Sequence, residues 1–169
     1  MRMRCDLDLR CARTAMSEAS ATAEQATEPP ATAAPPAPGQ GDHFAVFYDD
    51  TSFYFKNDSK NDRPISPVAF ERVLGDGSFA NRFEGGRWAQ IYPEVQAGRC
   101  MVLELVNYRD HLDPKDCKKN HQVWRSPNAN DEFIFWTTQE GSTHFRVLWS
   151  DAEVGRCEIA AKYCDVFLP

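Results

Sequence analysis

No stretch of this sequence approaches the ~18 consecutive apolar residues that a membrane-spanning helix requires. Clustered positive charge is missing too. Lys and Arg total 19 against 25 Asp and Glu, a formal net charge of −6, and the cations are scattered. A chain without a basic stripe lacks the electrostatic footprint of a nucleic-acid binder, and the same deficit argues against docking on anionic lipid. There is no Gly-x-Ser-x-Gly elbow and no phosphate-cradling Gly-rich loop, so these hydrolase and nucleotide-binding signatures are absent. Cys-x-x-Cys is also absent, which excludes an encoded redox dithiol or zinc ribbon. The opening MRMRCDLDLRCARTAM carries positive charge, but the apolar stretch of a secretory signal does not follow.

Cysteine, by contrast, is present in quantity. Six occur; Cys5 and Cys11 lie near the start, and Cys100, Cys117, Cys157 and Cys164 are separated by 17, 40 and 7 residues. Two disulfides are the expected use of the later four, and they imply an oxidising, extracytoplasmic home. Buried free thiols in a cytosolic protein are the alternative. Cys100 opens a core strand and Cys117 ends the irregular stretch after it, so a Cys100–Cys117 bridge would pin that loop back to its sheet. Cys157 and Cys164 flank Ala160-Ala161 symmetrically and would lie opposite each other across a two-residue hairpin. Such a turn puts them in the wider class of cross-strand pair, so a longer or bulged turn suits the bridge better.

Residues 1–41 read as a disordered leader. From Ser17 to Gly41 no aliphatic side chain is larger than Ala, and such a segment cannot offset its ordering entropy by burial. Pro29, Pro30, Pro35, Pro36 and Pro38 bias it toward an extended spacer. Either the spacer is vestigial, or the chain is the tail of a longer protein whose start is missing.

Residues 42–169 read as one all-β domain. Phe44–Tyr48 and Ser52–Lys56 are aromatic runs joined by a short Asp49-Asp50-Thr51 connection. Val68–Val73 alternates apolar and polar, and Arg99–Val106 is the strongest core strand. His121–Arg125 and Phe133–Thr137 are shorter strand candidates. His144–Trp149, Val154–Ile159 and Tyr163–Leu168 form a closing meander with a turn at Ser150–Ala152. Gly75, Gly77, Gly85 and Gly86 predict loops around Phe79, Phe83 and Trp88. Only Pro93–Ala97 and Asp110–Cys117 leave room for a helical turn. Many short strands at this spacing predict a sandwich or barrel; the expected fold is an immunoglobulin-like β-sandwich.

Ser52–Ser59 followed by Pro64–Phe70 resembles the opening of lamin-tail domains, and Val95–Leu103 is similar to a later strand of that family. A broader likeness joins Phe47–Phe53, Phe83–Trp88, Ala97–Cys100, Phe145–Trp149 and Arg156–Ala161. Together these segments resemble an uncharacterised module of bacterial envelope proteins that follows Thr/Pro/Ala-rich spacers, sometimes behind Ser/Thr kinases. That resemblance implies an extracytoplasmic β domain and transfers no catalytic residue.

Candidate chemistry is sparse. His111, Cys117 and His121 fall close together and are zinc-type ligands, but a fourth ligand at the usual spacing is missing. Asp49-Asp50 and Asn128–Glu132 offer oxygens of the type calcium prefers, though both also read as polar turns. Trp88, Trp124, Trp136 and Trp149 are most simply core residues. Of these, Trp88 and Trp124 sit in loop-like context beside Arg87 and Arg125, residue types enriched at binding hot spots. Arg87, Trp88, Trp124 and Arg125 are therefore the candidate binding residues. No catalytic residue, metal or cofactor is expected. The expected function is a monomeric, non-catalytic binding module for a protein or glycan partner. A small metal-dependent hydrolase using His111 and His121, or a passive structural tail of a longer envelope protein, is the alternative.

Overall fold

The computed structural model describes residues 39–106, 117, 123–126 and 131–169. The expected leader before Gly39, the histidines at 111 and 121, the possible helical turn over 110–116 and Asn128–Asn130 lie outside them. The described strands are β1 (Asp42–Tyr48), β2 (Ser52–Asn57), β3 (Arg63–Pro64), β4 (Val68–Val73), β5 (Phe79–Glu84), β6 (Glu94–Val95), β7 (Cys100–Leu105), β8 (Val123–Ser126), β9 (His144–Trp149), β10 (Ala152–Glu158) and β11 (Tyr163–Leu168). One four-residue helix, α1 (Gly86–Ala89), follows β5.

The strands form a five-stranded sheet, β11-β1-β2-β7-β8, and a four-stranded sheet, β10-β9-β4-β5. A two-stranded ladder, β3-β6, stands apart. Pairing is antiparallel except between β7 and β8. The period of two sends Phe44, Val46 and Tyr48 of β1 and Phe53 and Phe55 of β2 to one face, where all are buried. Phe70, Phe83, Phe145 and Val147 of the other sheet join the same core. Phe53 meets Phe70 edge-on at 5.0 Å and Phe135 at 4.8 Å, and Tyr48 meets Phe145 at 5.0 Å. Two sheets thus face each other across one aromatic core, as an all-β sandwich requires.

Local chemistry closes the turns. Asp49 Oδ1 accepts from the Thr51 and Ser52 amides, both at 2.7 Å, which folds the β1–β2 connection and commits that carboxylate to a turn. Ser150 and Asp151 both have positive φ, 47° and 66°, the mirror-image two-residue turn that matches strand twist between β9 and β10.

Both disulfides, Cys100–Cys117 and Cys157–Cys164, are closed, with Cα separations of 5.7 and 5.5 Å. The second does not span a hairpin. β10 and β11 belong to different sheets, each at an edge, and the chain crosses between them through a 3-10 turn at Ile159–Ala161 ending on left-handed Lys162. The bridge therefore staples one sheet to the other at their shared corner. Gly155 lets the edges approach, since a Cβ there would lie 3.2 Å from Val166 Cγ2.

Three further expectations are corrected. Phe79–Glu84 is a strand rather than a loop, because Gly77 at φ 83° turns the chain back onto β4. The helical turn forms at α1, not at Pro93–Ala97, where β6 lies. Phe133–Thr137 is not a strand, though Ile134, Phe135 and Trp136 are buried in the core. Its backbone is satisfied otherwise: Asp131 Oδ1 accepts from the Phe133 amide, and Arg72 donates to the Ile134 carbonyl.

Candidate functional site

The four candidate binding residues do not share one surface. Trp88 is buried, its ring 4.7 Å from Phe83 and 6.0 Å from Phe70, and its indole N–H donates to the Val102 carbonyl at 3.3 Å. It is a core residue, and its expected exposure is overturned by that packing. Trp124 and Arg125 are neighbours on β8 and so point to opposite faces. Arg125 lies outward, 3.7 Å from Glu104. Arg87 and Trp124 do meet: the guanidinium carbon sits 5.3 Å from the Trp124 ring centroid and 3.7 Å from that of Phe133. The cavity beside them, between Trp124, Phe133 and Trp136, is about 10 Å³. That is room for one water at most, so the described residues enclose no ligand-sized pocket here.

The larger concavity lies elsewhere. The segment between α1 and β7 folds into one wall of an open cleft of about 230 Å³. It is lined by the exposed Tyr92, Pro93, Glu94 and Gln96, the half-buried Arg99 and the buried Val95, Cys100 and Met101. Its shape is fixed by backbone bonds. The Tyr92 amide donates to the Trp88 carbonyl at 3.0 Å, the Ile65 amide to the Pro93 carbonyl at 3.0 Å, and the Gly98 amide to the Asn57 carbonyl at 2.7 Å. Asn57 is the hub. It is fully buried, and its amide donates to the Val95 and Asn61 carbonyls, both at 2.7 Å, while its oxygen accepts from the Ser59 amide and hydroxyl. A buried amide so satisfied rigidifies what it touches.

Arg99 in the cleft differs from the other described arginines. Arg63, Arg82, Arg125, Arg146 and Arg156 pair with carboxylates. Arg72 is hydrogen-bonded in the core, and Arg87 lies over Phe133. Among the described residues Arg99 has no ion pair, side-chain hydrogen bond or ring beneath it, and Glu94 and the Tyr92 hydroxyl have none either. Tyr92 is 41% exposed and Ile91 63%, on a loop where such side chains have no core to enter. Sequence reading missed this site. Its one local signal was a pair of large apolar residues directly before Pro93, outside any strand pattern.

A third cluster joins a histidine, a carboxylate and a phenol. On the outer face of β1 and β11, His43 Nε2 lies 2.7 Å from Asp165 Oδ1, and the Tyr163 hydroxyl donates to the same oxygen. That bond pushes the Tyr163 phenol up to about 12 and, with the imidazole beside it, lowers the Asp165 carboxyl. A phenol so held keeps its proton well past neutral pH. Among the described residues no group of three or more His, Cys, Asp or Glu side chains could hold a metal ion. None of their helices is long and apolar enough to cross a membrane.

No protein-family model matches this chain, and comparison with curated proteins finds no match.

Proposed function

We propose that this chain is a non-catalytic, extracytoplasmic interaction module of immunoglobulin-like type, carried behind an Ala/Thr/Pro-rich leader and binding a protein or glycan partner. The observation that carries the reading is the cleft between Tyr92 and Met101, where a cation, a carboxylate and a phenol stand unpaired on a rigid frame. Its volume falls below the roughly 300–1,000 Å³ of sites that enclose a whole cofactor or drug-sized ligand. It suits one protruding group of a larger partner. Two disulfides support a compartment outside the reducing cytoplasm. Facing sheets whose strands come from distant parts of the chain support the immunoglobulin-like assignment.

The test is a screen of the purified chain on glycan and peptide arrays beside Tyr92→Ala, with generic ester, phosphate and glycoside substrates in parallel. Saturable binding lost in Tyr92→Ala, without turnover, is the expected result. Turnover abolished by replacing His111 or His121 would replace the binding module with a hydrolase.

A further inference from the structure

We infer that the cleft recognises a carboxylate-bearing sugar ring, with Arg99 gripping the carboxylate, Tyr92 walling the ring and Glu94 accepting from its hydroxyls. This rests on the binding-module reading and names the ligand class of the same site. A guanidinium is a planar fork whose best partner is a carboxylate held by two parallel bonds. Each of the other described arginines has an ion pair, a core hydrogen bond or a ring beneath it, whereas Arg99, half-buried in the cleft wall, has none of these among the described residues.

Glu94 then narrows the choice. An ionised carboxylate only accepts hydrogen bonds. A plain acidic side chain, a phosphate or a sulfate brings only acceptors and negative charge, so it would meet Arg99 and be repelled by Glu94. A neutral sugar would satisfy Glu94 and offer Arg99 hydroxyl oxygens as acceptors, but it would leave the guanidinium charge uncompensated as the cleft loses water. A uronic-acid type of ring supplies both, a carboxylate on one carbon and donor hydroxyls on the others. Its C–H face suits the apolar surface that the half-exposed Tyr92 and the exposed Pro93 contribute to the lining. A volume of about 230 Å³ accommodates one ring rather than several. The ligand would be a residue of an acidic polysaccharide gripped singly from an open side.

The experiment titrates the full chain by calorimetry with galacturonate, glucuronate and mannuronate oligosaccharides, each beside its methyl ester. The esters keep the ring and hydroxyls and remove the charge. At least one acid form should bind, its ester should bind about tenfold or more weakly, and Arg99→Gln should lose a similar factor, as expected for one charge-assisted pair. Tyr92→Ala should abolish binding while leaving the melting curve unchanged. Esters that bind as well as acids through a Tyr92-dependent site would overturn the carboxylate inference and leave the module standing. The absence of Arg99-dependent binding anywhere in the panel would overturn it too, whether or not a peptide or neutral glycan is captured instead. Cleavage of an oligosaccharide would overturn the module itself.

Discussion

The Tyr48 hydroxyl donates to the Glu158 carbonyl at 2.7 Å across 110 residues of sequence, fastening the end of β1 to the corner where β10 leaves its sheet. The Tyr48 amide donates to the Lys162 carbonyl at 3.1 Å, so both sides of the 3-10 turn are held by one residue. Burial, and secondarily the Glu158 charge, push the Tyr48 phenol up to about 12.

An acid whose folded pKa is raised contributes stability that is fully present below its unfolded value and is lost as pH climbs through the folded one. The protein should therefore lose stability from about pH 10 to about pH 12. Tyr48→Phe should cost about 1–2 kcal/mol at neutral pH and flatten that alkaline slope. Tyr163, whose phenol is also raised to about 12, will leave a residual slope. Urea melts at stepped pH measure both. An unchanged slope in Tyr48→Phe would remove the Tyr48 contribution.

Gly85→Ala should be among the most damaging single methyl additions. A Cβ at Gly85 would fall 2.1 Å from the Ile65 carbonyl oxygen and 2.8 Å from that of Val68, and backbone cannot step aside as a flexible side chain can. The Gly85 amide also donates to the Val68 carbonyl at 2.8 Å, which sets where α1 begins and hence where Trp88 enters the core. A loss of about 3 kcal/mol is expected, at the upper end of overpacking costs. Gly86→Ala next door meets nothing within 4 Å and serves as the control. Equal melts for the two variants would contradict this account.

Non-reducing peptide mapping should recover Cys100–Cys117 and Cys157–Cys164. Loop closures spanning 17 and 7 residues correspond on the chain-entropy model to about 3 and about 2.5 kcal/mol. Replacing Cys157 and Cys164 together by Ser should lower stability by that smaller amount and loosen the corner, read as faster amide exchange at Val166. A Cys100–Cys157 crosslink, or four free thiols, in protein made under oxidising conditions would refute the pairing.

Arg72 is 1% exposed, and its guanidinium donates to the Ile134 carbonyl, to Thr137 Oγ1 at 3.1 Å and to Gln139 Oε1 at 3.0 Å. Burial lowers its pKa, opposed by the Glu140 charge. It is the core peg that holds the strandless segment carrying Phe135 and Trp136. Arg72→Met should cost about 2–3 kcal/mol through acceptors left unsatisfied, and Arg72→Lys should not rescue it, since one ammonium cannot span three acceptors. Near-UV circular dichroism should report Trp136 loosening in both. Full stability in Arg72→Lys would show that charge alone suffices.

Much of the framework was legible in the residues themselves. Alternation identified β4, and runs of aromatic and apolar residues bounded by turn residues identified β1, β2, β7, β9 and β11, because both signals belong to the strand itself and need no partner. Cysteine spacing identified both bridges for a related reason: 7 and 17 residues are separations the chain closes locally. Tertiary structure decided the rest. Alternation says which side chains share a face, not which strand lies alongside, so the crossing of β10 and β11 between sheets could not be read from Cys157 and Cys164. Trp88 resembled an exposed loop residue until α1 turned it under Phe83 and Phe70. Arg99 read as the start of a core strand. It lines a cleft only because Asn57, 42 residues earlier in sequence, gathers Val95, Gly98 and Arg99 by side-chain and backbone bonds. Exposure and pairing depend on what packs against a residue, and that is settled between segments rather than within them.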